Sequence, residues 1–307
     1  MLLITLSKIV NPYCVYLPKI ITVKIILQNQ ELTVAIQSKG AELCSVQSKA
    51  NGREFLWQAD PAHWPKQSPV LFPIVGKVKE NIYTHECKTY TLPRHGFARE
   101  MEFSLIEESE SKAVFQLCSS AESKAVYPFD FDFRICYHLD HNELHTTYTV
   151  TNSGNETMYY NVGAHPAFAL PLDFSDYSLA FPLDTELTAY ELEHELISET
   201  THQIQVENHS LPLSYSLFEK DALVFKQLES KLVTLFENDR PLVQVSFADF
   251  PNLGIWTKPQ APFICIEPWL GYADTINASG VFHEKEGIQK LASGESRTVQ
   301  FTTTLFS

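Results

Sequence analysis

Glycine is scarce in this chain, at 11 of 307 residues, and no segment shows a collagen-like period. Basic residues are outnumbered. The 23 Lys and Arg against 37 Asp and Glu give a formal net charge of −14. Such a field repels nucleic acid and anionic membrane surfaces, so neither is expected as a partner. The six cysteines, at 14, 44, 87, 118, 136 and 265, form no C-x-x-C pair, which removes zinc-ribbon and thioredoxin-type readings. In a chain this long they read as reduced thiols, and the expected location is the cytoplasm. No apolar run reaches the ~18–20 residues of a membrane helix. The apolar stretch from Met1 to Ile26 is interrupted by Lys8, Asn11, Pro12 and Lys19, and no small-residue cleavage site follows a compact apolar core. We read residues 1–20 as an N-terminal extension and 21–307 as one domain.

What is present is apolar material, 44% of residues, in short alternating runs. Leu32, Val34 and Ile36 alternate with polar neighbours. So do Phe133, Ile135, Tyr137 and Leu139, then Leu144, Tyr148 and Val150. Later runs carry Leu232 and Phe236, then Val243, Val245 and Phe247, and finally Val299, Phe301 and Leu305. Period-2 alternation sets one face on a core and the other on water. Asp140-His141-Asn142 separates two such runs and predicts a β-hairpin, while Asn152 to Asn155 reads as a turn. Long helical periodicity is absent; short helical turns are expected near Asp60–Trp64 and Gly287–Leu291. The fold class is therefore all-β, a large antiparallel β-sandwich.

Three segments break the alternation and set ionisable groups beside Gly, Pro or aromatics: Pro93 to Arg99, Gly163 to Phe168, and Ile266 to Gly271. Glu267 follows the apolar run Phe263 to Ile266. A carboxylate at the end of a buried strand is costly unless paired, and burial raises its pKa toward that of a general base. The alternative is a glutamate capping a turn before Pro268. His165, held before Pro166, has a defined direction suited to proton donation; the alternative is a packed histidine bonded to backbone. His95, beside Gly96 and two arginines, reads equally as a solvated basic loop. Trp269 reads as an aromatic face open to ring stacking or as ordinary core packing. His138, His141 and His145 surround the hairpin turn, but 138 and 145 alternate with apolar positions and face solvent, and no ligand set is completed. No metal or other cofactor is expected.

The strings R-H-G-F-A-R at 94–99, G-A-H-P-A-F at 163–168 and E-P-W-x-G-x-A-D at 267–274, preceded by S-P-V-L-F-P-I-V-G-K at 68–77, resemble the aldose 1-epimerase (galactose mutarotase-like) family, most closely its LacX-like branch. The similarity runs from about Ile21 to Phe306. It implies a galactose mutarotase-like supersandwich and an isomerase that interconverts the α and β anomers of a hexose without cofactor. By the same resemblance Glu267 is the general base at the anomeric O1 hydroxyl and His165 the acid at the ring oxygen O5. His95 is a second histidine polarising that region, and Asp221 holds sugar hydroxyls. Many family members carry arginine where this chain has Lys77, a point donor without a bidentate fork.

Lys77, Lys79, Arg94 and Arg99 leave a hexose-6-phosphate open as substrate, with Arg99 a second cationic candidate. A non-catalytic carbohydrate sensor would keep Asp221 and Trp269 without rate enhancement. A glycoside-bond enzyme lacks a second carboxylate near Glu267 in the sequence. The expected partner is a small-molecule sugar, with monomer and homodimer both open.

Overall fold

The computed structural model describes residues 23–307; the expected extension over 1–20 lies outside them. Two large antiparallel sheets dominate. One has nine strands, in the order Ser210–Pro212, Tyr177–Ala180, Leu232–Glu237, Arg240–Ser246, Ser296–Leu305, Glu143–Asn152, Phe131–Asp140, Lys112–Cys118 and Ser104–Glu108. All but the first of the alternating runs fall in this sheet; Leu32, Val34 and Ile36 lie in Leu32–Gln37, the middle strand of a separate three-stranded sheet. Along Phe131–Asp140 the odd positions are buried, while Arg134, His138 and Asp140 are exposed. The expected hairpin pairs this strand with Glu143–Asn152 through His141-Asn142. On the outer face, Thr149 pairs with Thr298 and Thr151 with Ser296 through hydroxyl contacts of 3.0 and 2.8 Å, so this face is wet.

The second sheet follows the order Leu196–Gln205, Glu186–Glu193, Leu223–Phe225, Asn252–Trp256, Phe263–Leu270, Val162–Ala164 and Val70–Leu71. An eighth strand, Ala167–Ala169, also pairs with Phe263–Leu270. The two inner faces share one core, in which Phe72 stacks on Phe133 at 4.6 Å and Phe181 meets Phe225. The all-β antiparallel expectation is met. Among the described residues, the α-helix is confined to the single turn-and-a-half Ala121–Val126, capped by Ser120. No described helix is long and apolar enough to cross a membrane.

Asp60 to Trp64 forms the expected helical turn, with the Trp64 N–H on the Asp60 carbonyl at 2.9 Å. The stretch 287–291 does not. Gln289–Leu291 is extended and pairs with Met158–Tyr160. Leu291 joins the core in that register, and burial outweighs the local turn tendency.

Phe263–Leu270 is buried at all eight positions. Ile264, Ile266 and Leu270 face the sandwich core. Phe263 and Cys265 join a separate cluster with Trp57 and Ala167, and Trp269 another with Leu71, Val75, Ile197 and Val224. Glu267 shares the strand face of these last three. The sheet's outer face is thus covered too, and the site forms under that cover.

Candidate active site

Two prolines open a gap in the second sheet. Val162–Ala164 pairs with Phe263–Leu270 at Trp269 and Leu270, and Ala167–Ala169 pairs with it at 263–265. His165 and Pro166 interrupt one side of this seam and Pro268 sits in the other; neither proline has an N–H to donate. Glu267 is therefore not at a strand end before a turn, as its sequence context suggested. It lies inside the strand, opposite Gly254 on the other neighbour. Its Oε2 is 3.3 Å from His165 Nε2.

Both groups are withdrawn from water, at 1% and 7% exposure, so desolvation sets their protonation. Burial raises the Glu267 carboxyl well above the usual range, against the opposing pull of Arg94. Burial, reinforced by Arg94, lowers the imidazole of His165 to about 3. Desolvation thus favours the uncharged forms of both groups over a pair of opposite charges. Glu267 Oε2 and His165 Nδ1 have no hydrogen-bond partner among the described residues. The indole Nε1–H of Trp269 lies near the carboxyl but is likewise unpartnered.

Aromatic rings hold His165. Trp64 stacks on it at 4.9 Å and 27°, and Trp256 meets it edge-on at 5.7 Å. His95 crosses it at 5.7 Å and 82°. The backbone at His95 and Gly96 is left-handed, with φ of 67° and 71°. A Cβ at Gly96 would lie 2.2 Å from the Phe72 carbonyl oxygen, so only glycine lets this loop approach. The His95 N–H donates to the Gly76 carbonyl at 2.7 Å, and the Gly76 N–H donates to His95 Nδ1 at 3.2 Å. Nδ1 is thereby an acceptor, Nε2 carries the proton, and burial keeps the ring neutral.

These groups line a cavity of about 160 Å³. His95, His165, Glu267, Trp269, Arg94 and Arg99 all face it, joined by Trp64, Trp256 and Glu195. Trp269 fits because Gly254 stands beneath it: a Cβ there would come within 2.4 Å of the indole. Lys77 and Asp221 are not among the lining residues. Lys77 Nζ donates to Glu195 at 2.8 Å. The Asp221 carboxylate accepts from the Ala222 N–H at 2.8 Å, on a backbone with φ of 88°, and is near enough to push the Glu267 pKa up.

Residues 23–301 match the family model described as aldose 1-epimerase. The chain belongs to the aldose 1-epimerase family. It is an enzyme of that family's isomerase class and of mutarotase type. Over 299 residues it is 35% identical to the chromosomal LacX protein of Lactococcus lactis, covering 92% of this chain and 99% of that one. Among solved structures it resembles a galactose mutarotase related enzyme from Lactobacillus acidophilus, with 34% identity, a TM-score of 0.89 and coverage of 93% and 98%. A galactose mutarotase-like protein from Lactobacillus casei follows at 29% identity and TM-score 0.87, covering 92% and 100%.

In this aldose 1-epimerase family member the sequence did not point to Trp64, Trp256 or Glu195. Glu195 sits in the two-residue turn of the hairpin formed by Glu186–Glu193 and Leu196–Gln205, a hairpin that the alternating runs did not include. His165, Cys265 and Glu267 also bring three potential metal-ligand atoms within 4.8 Å of one another. Burial pushes the Cys265 thiol well up, so ligation there would first require loss of a strongly held proton. His138 and His145 stack on the outer face at 5.9 Å, with His138 exposed.

Proposed function

We propose that the enzyme interconverts the α and β anomers of a free aldohexose by opening and reclosing the pyranose ring, with Glu267 and His165 exchanging one proton's worth of acid–base work. The observation that carries this reading is the 3.3 Å approach of the two groups, with opposite pKa displacements, on one cavity wall.

Ring opening needs a proton removed from O1 and one delivered to O5, two oxygens on the same carbon. A carboxylate and an imidazole a few ångströms apart can serve both. Glu267 takes the O1 proton; His165, protonated in the complex, gives its proton to O5. When the open-chain aldehyde forms, the carboxyl is protonated and the imidazole neutral. Desolvation favours this same uncharged pair, so the environment lowers the energy of the open-chain state relative to the ring. Rotation about C1–C2 presents the other aldehyde face, and the reverse transfers close the ring. Sugar hydroxyls donating to Glu267 and the positive charge of Arg94 hold the carboxylate form in the ring-closed complex. His95, with its Nε2–H, donates to the O5 and O1 region. Trp64 or Trp269 offers an apolar ring face to the sugar. Asp221 and Lys77 act from behind the lining, on Glu267 and on Glu195. Arg99 supplies hydroxyl contacts.

The five described cysteines are all free thiols, which supports a cytoplasmic setting. The test is magnetisation exchange between anomer signals for glucose, galactose and other aldoses. Exchange accelerated by enzyme supports the reading; a rate equal to buffer alone for every sugar in the panel refutes it.

A further inference from the structure

We propose that Glu195 is a specificity-determining residue that sets the charge of the accepted substrate, admitting a hydroxyl and rejecting a phosphate at the cationic end of the cavity. The inference rests on the sugar-binding reading above.

Lys77 and Arg94 do converge, but on a carboxylate of the protein itself. Glu195 Oε2 accepts from Lys77 Nζ and Oε1 from Arg94 Nη1, each at 2.8 Å. The carboxylate is partly exposed and faces the cavity. Its position is fixed by the fold. His194 and Glu195 form the hairpin turn with φ of 53° and 68°. The adjoining strand is tied down on the next segment: the Ile197 N–H donates to the Asp274 carbonyl at 2.8 Å, and the Ile276 N–H donates to the Ile197 carbonyl at 3.0 Å. Leu192 and Ile197, on either side of the turn, line the same wall.

A phosphate entering here meets a carboxylate that already occupies both cations. It must either displace that carboxylate from two ion pairs or sit against its negative charge. A sugar hydroxyl meets no such conflict. It donates to Glu195 and accepts from the remaining guanidinium N–H groups. Arg94 and Arg99 both line the cavity, and Arg99 is oriented there by its Nη2, which donates to the Arg94 carbonyl at 2.9 Å. A carboxylate beside guanidinium groups offers acceptor and donor together, the pattern two neighbouring hydroxyls require.

Cavity tryptophan fluorescence, with calorimetry as a second readout, measures binding of D-galactose, D-glucose and their 6-phosphates. Wild type is expected to bind each neutral sugar at least about tenfold more tightly than its 6-phosphate. Glu195→Gln should reduce that preference at least about tenfold. Glu107→Gln, which removes a surface charge paired with Lys112, should leave it unchanged. The proposal is overturned if wild type binds the 6-phosphate as tightly as the free sugar, a comparison that needs no variant. It is also overturned if Glu195→Gln folds and keeps the wild-type ratio within twofold. Sugar binding without accelerated anomer exchange would overturn the catalytic reading alone; absence of binding by any of these ligands overturns both.

Discussion

Replacing Glu267 by glutamine keeps the side-chain shape and removes its titration. Two consequences have opposite signs. Loss of a general acid–base group costs about 10²–10⁴ in rate, or about 3–5 kcal/mol of barrier. Stability should move the other way. The folded carboxyl holds its proton more tightly than the unfolded one, because burial penalises the charge. Its contribution to stability is complete below the ordinary carboxyl pKa and is lost as pH rises through the folded value. The loss proceeds at up to about 1.4 kcal/mol per pH unit. Glutamine has no such loss, so the variant gains on wild type as pH rises. Each kcal/mol gained between pH 5 and pH 7 corresponds to about 1.5 °C in melting temperature for a chain of this size, so the full slope over two pH units gives up to about 4 °C. His165 has the reverse sign: its pKa is lowered, so stability falls as pH drops below about 6.5 toward about 3. Both proteins carry that background below about pH 6.5, and the growth of their difference with rising pH reports the carboxyl. The assays are anomer exchange by NMR and thermal melts followed by circular dichroism at pH 5 and 7. Near-wild-type exchange, or a melting difference that does not grow with pH, would refute the reasoning.

His165→Asn should lower exchange by about 10²-fold or more while the fold persists; a variant within tenfold of wild type would remove the imidazole from the mechanism. Trp64→Ala strips the ring stacked at 4.9 Å on His165 and admits water. The imidazole pKa should then rise from about 3 toward its ordinary value, read from the pH titration of its NMR signals; an unmoved titration would show that burial by Trp64 is not the cause. Gly254→Ala would set a Cβ 2.4 Å from the Trp269 indole. The expected destabilisation is about 1–3 kcal/mol, seen as a lower urea midpoint; an unchanged midpoint would mean that the indole yields freely.

Much of the sandwich was legible because alternation is a local property. Leu139 and Leu144 flank a turn whose two strands pair residue by residue, and the pattern alone places their side chains inward. The ordered motifs around His95, His165 and Glu267 likewise pointed to three groups that do meet at one cavity. Where local pattern misled, tertiary burial was the cause. Gln289–Leu291 became a strand because Met158–Tyr160 lay beside it. Glu267 looked like a strand-end residue because Pro268 follows it, yet the strand runs on to Leu270 across a gap that His165-Pro166 leaves open.

By itself, then, the amino-acid sequence determined the strand content, the net negative charge and which ionisable residues to examine as a proposed acid–base set. Only the tertiary structure decided that Trp64 stacks on His165, 101 positions away, and that Lys77 and Arg94 both pair with Glu195 at the cavity wall. It also decided the protonation of Glu267. Desolvation and ion pairing depend on what surrounds a group in space, and the walls of this cavity come from loops and strands far apart along the chain. Periodicity carries which face is buried; it carries nothing about which distant side chain arrives to cover it.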